Sequence, residues 1–158
     1  MPESKASAAQ TLIGQGSSTS YAIELLKQGY SHEEIKAKIE QERRVFPSIC
    51  DVLIEFLVKK NISVETLATL SDMNPASIYK IMNRKRNPTR NAILRFAMAM
   101  ALTIEETQVL LKSGNCALLA GGNGRDLIIM EGLMHEQDYE TVNETLKSKN
   151  LPELDGRG

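Results

Sequence analysis

Leu67-Ala68-Thr69-Leu70-Ser71-Asp72-Met73-Asn74-Pro75-Ala76-Ser77-Ile78-Tyr79-Lys80-Ile81-Met82-Asn83-Arg84-Lys85-Arg86-Asn87-Pro88 is the stretch whose reading decides the fold. Ser63 can cap a short helix through Val64, Leu67, Ala68 and Leu70. Ser71-Asp72-Met73 then reads as a tight turn. Asn74-Pro75 is a strong start signal, because an Asn side chain can accept from free first-turn amides and proline has no N–H to waste. The helix it opens turns Ile78 and Ile81 inward and leaves Tyr79 and Lys80 on other faces. Residues 83–88 form a basic loop. Ala68 is small where the two helices must approach, and Leu67 and Ile78 face a shared core.

Outward from this stretch, apolar residues recur at helical spacing and nothing alternates like a strand. Upstream, Pro47 can open a helix whose Ile49, Val52, Leu53, Phe56 and Leu57 make one apolar stripe, with Asn61 as its stop. Residues 21–28 read as a short helix stopped by Gly29. Ser31 and Glu34 form a capping box before a helix carrying Ile35 and Ile39 inward. Downstream, residues 91–102 read as a helix with Ile93, Leu94, Ala97, Met100 and Ala101 inward. A second capping box, Thr103 with Glu106, starts a helix through Leu111. Residues 125–134 and 139–147 read as two more short helices, and residues 151–158 as a tail.

The expected fold is therefore all-α: a five-helix domain flanked by short N- and C-terminal helical pairs. The expected divisions are a disordered segment 1–18, a helical hairpin 19–44, the five-helix domain 45–112, a Gly-rich linker 113–124, a helical pair 125–154 and a tail 155–158. No apolar run in the sequence approaches a membrane span of ~20 residues. The start of the chain lacks the basic and apolar regions of a secretory signal, which points to the cytoplasm. Cys50 and Cys116 have no CxxC spacing and no nearby His, so free thiols are expected rather than a disulfide or a metal site.

Charge is distributed unevenly. The chain carries 19 basic and 20 acidic residues, yet residues 73–104 hold six of the basic ones (Lys80, Arg84, Lys85, Arg86, Arg90, Arg95) and no acidic one. Such a patch on an otherwise acidic protein can face phosphate. Two short helices joined by a tight turn, the second ending in a basic loop, also suit the DNA major groove. There the first helix crosses the backbone and the second presents its N-terminal residues to base edges.

The pattern Leu67-Ala68, Ser77-Ile78 and Arg84-Lys85-Arg86-Asn87-Pro88, continued by Leu94, Ala97 and the Thr103-Ile104-Glu105-Glu106 start, resembles the XRE family of phage-repressor-like (Cro/C1-type) helix-turn-helix regulators. The likeness covers residues 46–111. It implies that Asn74, Pro75, Ala76, Ser77, Tyr79 and Lys80 fall where the family meets bases or adjacent phosphates. It places Asn83, Arg84, Lys85 and Arg86 on the phosphate-contacting loop. Lys80 can then donate to guanine, and Ala76 can touch a thymine methyl. Three positions depart from the pattern: Val64 where Gln is common, Asp72 where Gly is common, and Met82 where Glu is common.

The implied function is a sequence-specific DNA-binding transcriptional regulator. Its partner is double-stranded DNA, and it is a homodimer because one recognition helix covers only a few base pairs. The end helices are candidates for dimerisation or for docking a protein partner. Val64 and the acidic flanks motivate an alternative: a module of the same fold that binds protein and no longer DNA. An enzyme is not expected. His32 and His135 have no carboxylate or nucleophile at motif spacing, and Gly121-Gly122-Asn123-Gly124-Arg125 lacks the strand and Gly-Lys-Ser/Thr of a phosphate loop. No cofactor is expected.

Overall fold

A computed structural model describes residues 18–41 and 47–155, without the side chains of residues 18–20. Among the described residues the chain is all-helical, with no strand. The helices are α1 (Ser18–Lys27), α2 (His32–Gln41), α3 (Ile49–Lys60), α4 (Val64–Ser71), α5 (Pro75–Met82), α6 (Arg90–Ala99), α7 (Ile104–Ser113), α8 (Gly124–Met134) and α9 (Tyr139–Ser148). No helix among them is long and apolar enough to cross a membrane. The expected disordered stretch 1–18 lies outside the described residues, apart from Ser18, which begins α1.

Local chemistry sets the helix starts. Ser63, Asn74, Thr89, Thr103, Asn123 and Asp138 all sit in extended backbone at N-caps, each accepting from a first-turn amide. Both expected capping boxes form, Ser31 with Glu34 and Thr103 with Glu106. Pro47 lies two residues before α3 and does not open it. The helix ends within the described residues, those of α1 and α3 to α9, follow one rule. A residue in the left-handed region stops the helix, and the next amide reaches back to a carbonyl five residues earlier, as Met73 N–H does to Ala68 and Leu102 N–H to Ala97. Among the described residues glycine fills the left-handed position only at Gly29; Asn61, Asp72, Arg84, Ala101, Asn115, Glu136 and Asn150 hold it elsewhere. Ala101, expected to face inward, is exposed because this turn takes it out of the helix.

The described chain forms two compact units, one ending at Ser48 and the other starting at Ile49. In the first unit α1 packs on α2 around Leu25 and Ile35, while Ile23 and Leu26 stay exposed. In the second unit α6 lies against α4, α7, α8 and α9, and α3 lies against α5 and α7. Leu53, Leu67, Ile78, Ile93, Leu94, Phe96, Leu110 and Ile129 are fully buried. Truncating a side chain of this kind to Ala typically costs 2–5 kcal/mol, so this core dominates stability. Gly132 lets α9 approach α8, since a Cβ there would collide with Val142.

The Gly-rich stretch expected as a linker is pinned down inside this second unit. Leu119 is buried, and its backbone pairs with the Gln108 amide through N–H to Oε1 (2.9 Å) and C=O from Nε2 (3.1 Å). Residues 151–154, which look like irregular tail in the sequence although they close the 125–154 division, are held in as well. Leu154 is fully buried; its N–H donates to Asn143 Oδ1 at 2.6 Å and its carbonyl accepts from Arg95. Arg125 donates to the carbonyls of Pro152 (2.7 Å) and Glu153 (3.1 Å). Backbone that leaves a helix must find partners, and the buried Arg95 and half-buried Arg125 guanidinium groups supply them here.

Candidate nucleic-acid interface

Helix α4 is held by the Ser63 cap and by Leu67 and Ala68, both buried. Its last residue, Ser71, is buried too, and its hydroxyl donates to the Leu67 carbonyl. Asp72 then takes the left-handed conformation at φ 53° and ψ 48°, which Asp tolerates better than most residues. Asn74 Oδ1 accepts from the Ala76 amide at 2.9 Å, and Pro75 occupies the first helical position. Helix α5 seats itself through Ile78 and Ile81, which are fully or almost fully buried. Two apolar residues three positions apart fix which face points outward.

That outward face carries the expected residues. Asn74, Pro75, Ala76, Tyr79, Lys80, Asn83, Arg84 and Lys85 are exposed, whereas Ser77 and Arg86 are half-buried. All ten lie on one helix and its flanking turns, from residue 74 to residue 86. Tyr79 is solvent-facing rather than core, and its hydroxyl donates to Glu65 Oε1 at 2.8 Å. That bond holds the Glu65 carboxyl below its ordinary pKa and pushes the Tyr79 phenol above its own. Arg84 Nη2 meets Asp51 Oδ1 at 3.0 Å. Arg86 Nη1 donates to Ser77 Oγ at 3.2 Å, tying the loop back to the first turn of α5. Lys80 and Lys85 make no ion pair with the described residues within 4.0 Å.

The three departures from the family pattern find structural partners. Val64 and Met82 are half-buried against the core, so both side chains pack instead of reaching outward. The Met82 carbonyl accepts from the buried Cys50 thiol at 2.8 Å, fastening the end of α5 to α3. Asp72 is answered by Tyr139, whose hydroxyl donates to Asp72 Oδ2 at 2.8 Å, and by Arg95 at 3.8 Å.

Two of the six cations in the basic stretch serve the interior. Arg95 is 3% exposed; it donates to the carbonyls of Ser71 (2.8 Å), Asp72 (3.0 Å) and Leu154 (3.3 Å). Its guanidinium lies 4.3 Å from the Tyr139 ring centroid. Arg90 forms a fork with Asp126 at 3.2 and 3.0 Å and donates to the carbonyls of Ala117 and Leu118. The sequence offered one clue for Arg95, its place inside the otherwise apolar run Ala92-Ile93-Leu94-Arg95-Phe96-Ala97-Met98. It offered none for Asp51 and Glu65, whose partners are 33 and 14 residues away.

His32 and His135 lie at a helix start and a helix end, His32 as the first residue of α2 and His135 as the C-cap of α8. Among the described residues no group of three or more His, Cys, Asp or Glu side chains is placed to hold a metal ion. No family model matches the chain, and no curated protein or solved structure does either.

Proposed function

We propose that this protein is a DNA-binding transcriptional regulator of the XRE type that places α5 in the major groove. The observation that carries this reading is the face between residues 74 and 86. It is an eight-residue helix with a capped and exposed N-terminus, followed by a loop, with four cations and no carboxylate in the segment. In this reading Asn74, Pro75, Ala76, Ser77, Tyr79 and Lys80 meet base edges or the phosphates beside them. Asn83, Arg84, Lys85 and Arg86 meet phosphates, which supply most of the affinity but no sequence information. The protein acts in the cytoplasm as a homodimer on a two-fold site, without catalysis. Arg84 exchanges Asp51 for a phosphate oxygen on binding; an exposed pair of this kind contributes little and is easily given up.

A second reading is favoured by one observation. Glu65 and Asp51 place carboxylates against two of the ten residues, as a surface built for protein rather than phosphate can do. Binding of fluorescent duplex DNA at two salt concentrations separates the two. Wild type is expected to bind with a steep salt slope. The double change Arg84→Ala, Arg86→Ala should weaken binding and make the slope shallower by about two, one per lost phosphate contact. Lys80→Ala should lose sequence discrimination. Absence of salt-dependent binding, even to the gene's own upstream region, would end the DNA reading and favour a protein partner.

A further inference from the structure

The turn between α4 and α5 is gripped from a distant part of the chain. Three carbonyls converge on the Arg95 guanidinium: Ser71 and Asp72 from the turn, and Leu154 from the segment that follows α9. Tyr139, the first residue of α9, stacks on that guanidinium and donates its hydroxyl to Asp72 Oδ2. The 151–154 segment is itself fastened by Arg125 and Asn143, and Leu154 is fully buried. Asp72 is the hinge residue: its left-handed backbone sets the direction in which Met73 and Asn74 leave α4, and so where α5 begins.

A purely local turn needs none of this. Glycine would adopt the same backbone at less cost, and Ser71 and Asp72 could leave their carbonyls to water. Asp72 in place of glycine makes sense if its carboxylate has a task, and the only hydrogen bond this carboxylate accepts among the described residues comes from Tyr139. The Asp72 side chain is 76% exposed, so charge attraction to Arg95 at 3.8 Å is heavily screened and the directional hydrogen bond matters more. Tyr139 and Arg95 themselves do not reach the outward face of α5, since both are buried.

We propose that residues 124–155 form a clamp on the α4–α5 turn, with Tyr139 and Arg95 as positioning residues that hold α5 at the angle DNA reading requires. This rests on the DNA-binding reading above. The C-terminal helices are then part of the reading head rather than a separate docking module. A change in α9 is transmitted to the candidate interface through one hydroxyl and one guanidinium.

Three substitutions test the clamp while sparing the core. Tyr139→Phe keeps the ring over Arg95 and removes the hydroxyl. Asp72→Gly keeps the left-handed turn and removes the acceptor. Asp72→Asn keeps an acceptor and serves as the rescue. Amide hydrogen exchange without DNA, DNA affinity and the unfolding midpoint are read on the full chain. Tyr139→Phe and Asp72→Gly should speed exchange selectively in residues 71–76. Each should weaken specific DNA binding about three- to tenfold, the net equivalent of one ordinary hydrogen bond. Asp72→Asn should stay near wild type on both readouts. Unchanged exchange in residues 71–76 overturns the clamp. So does wild-type affinity in Asp72→Gly, or exchange that rises uniformly across α3 to α9. If wild type binds no DNA, the functional reading fails, and the exchange experiment alone decides whether the turn is clamped.

Discussion

Arg84 and Arg86 on the loop after α5, and Arg90 and Arg95 on α6, are four arginines within twelve residues of sequence that do opposite things. Arg84 meets one exposed carboxylate, and Arg86 meets one hydroxyl of its own neighbourhood. Arg95 is enclosed by three carbonyls and an aromatic ring, and Arg90 by two carbonyls and a buried carboxylate. A guanidinium has five donors in a rigid fork. Where the protein satisfies most of them, the residue belongs to the architecture. Where its partners are side chains at the surface, as for Arg84 and Arg86, they can be exchanged for a polyanion. A basic run in a sequence therefore overstates the charge open to DNA, here by two of six residues.

The largest effect should come from Arg95→Met. It leaves the carbonyls of Ser71, Asp72 and Leu154 without their donor and should cost roughly 3–5 kcal/mol of unfolding free energy. Arg95→Lys should recover little of this, because an ammonium cannot span three acceptors in a fork. Denaturant unfolding measures both. If Arg95→Met is as stable as wild type, the comparison between the two groups of arginines collapses.

Next in size is Arg90→Met, which strands Asp126, a carboxylate only 5% exposed in its side chain. Asp126 also accepts from the Ala120 amide and so keeps part of its support. A loss of about 2 kcal/mol is expected, with affinity for DNA falling only as far as folded protein is lost. An equal loss of affinity in protein that remains fully folded would move Arg90 into the interface.

Arg84→Gly should split the two properties by sign. Arg84 sits at φ 61°, where a residue with a Cβ is disfavoured by about 1 kcal/mol relative to glycine. Its ion pair with Asp51 is half-exposed and offsets little of that. The variant should unfold at a slightly higher temperature and bind DNA more weakly. Loss of both stability and binding would mean that the Arg84 side chain holds the loop rather than serving as a contact.

The smallest effect concerns a pair away from the candidate interface. Glu106 accepts from Lys59 at 2.8 Å and from the Thr103 amide in its capping box, with Lys60 at 3.3 Å, and its pKa falls from 4.5 to about 2. A carboxyl with a folded pKa below its unfolded value stabilises the fold above the unfolded pKa. That contribution fades as pH drops from about 4.5 toward 2. Because Lys59 is largely solvated, the contribution is of order 1 kcal/mol. Glu106→Gln should show this deficit at neutral pH and none near pH 2, read from unfolding midpoints. A deficit independent of pH would assign the effect to the cap alone.

The sequence by itself determined the helices and most of their starts, though not those of α1 and α3. A cap needs a side chain and an amide two or three residues apart, as in Asn74 with Ala76 or Thr103 with Glu106, and so it is written in consecutive letters. The inward faces of α3 to α7 were legible for the same reason, since helical spacing places residues three and four apart on one side. The ten candidate contact residues formed one segment, and one segment can be read. One helix-end residue misled for a local reason: Ala101 occupies a left-handed position for which its side chain gives no signal.

Tertiary structure alone decided the rest. Tyr139 reaches Asp72 across 67 positions and Arg95 reaches Leu154 across 59. Neither pairing follows from local preference, because no spacing rule relates residues on separate helices. The apparent linker and the apparent tail looked like solvent-facing chain, since Gly, Asn and Pro mark irregular backbone and do not say whether it is buried. What buries them is Leu119 and Leu154 entering a core assembled by α6 to α9, with Arg90, Arg95 and Arg125 supplying donors to their carbonyls. A charged side chain acquires its role from what surrounds it, and for these arginines the surroundings exist only once the chain has folded.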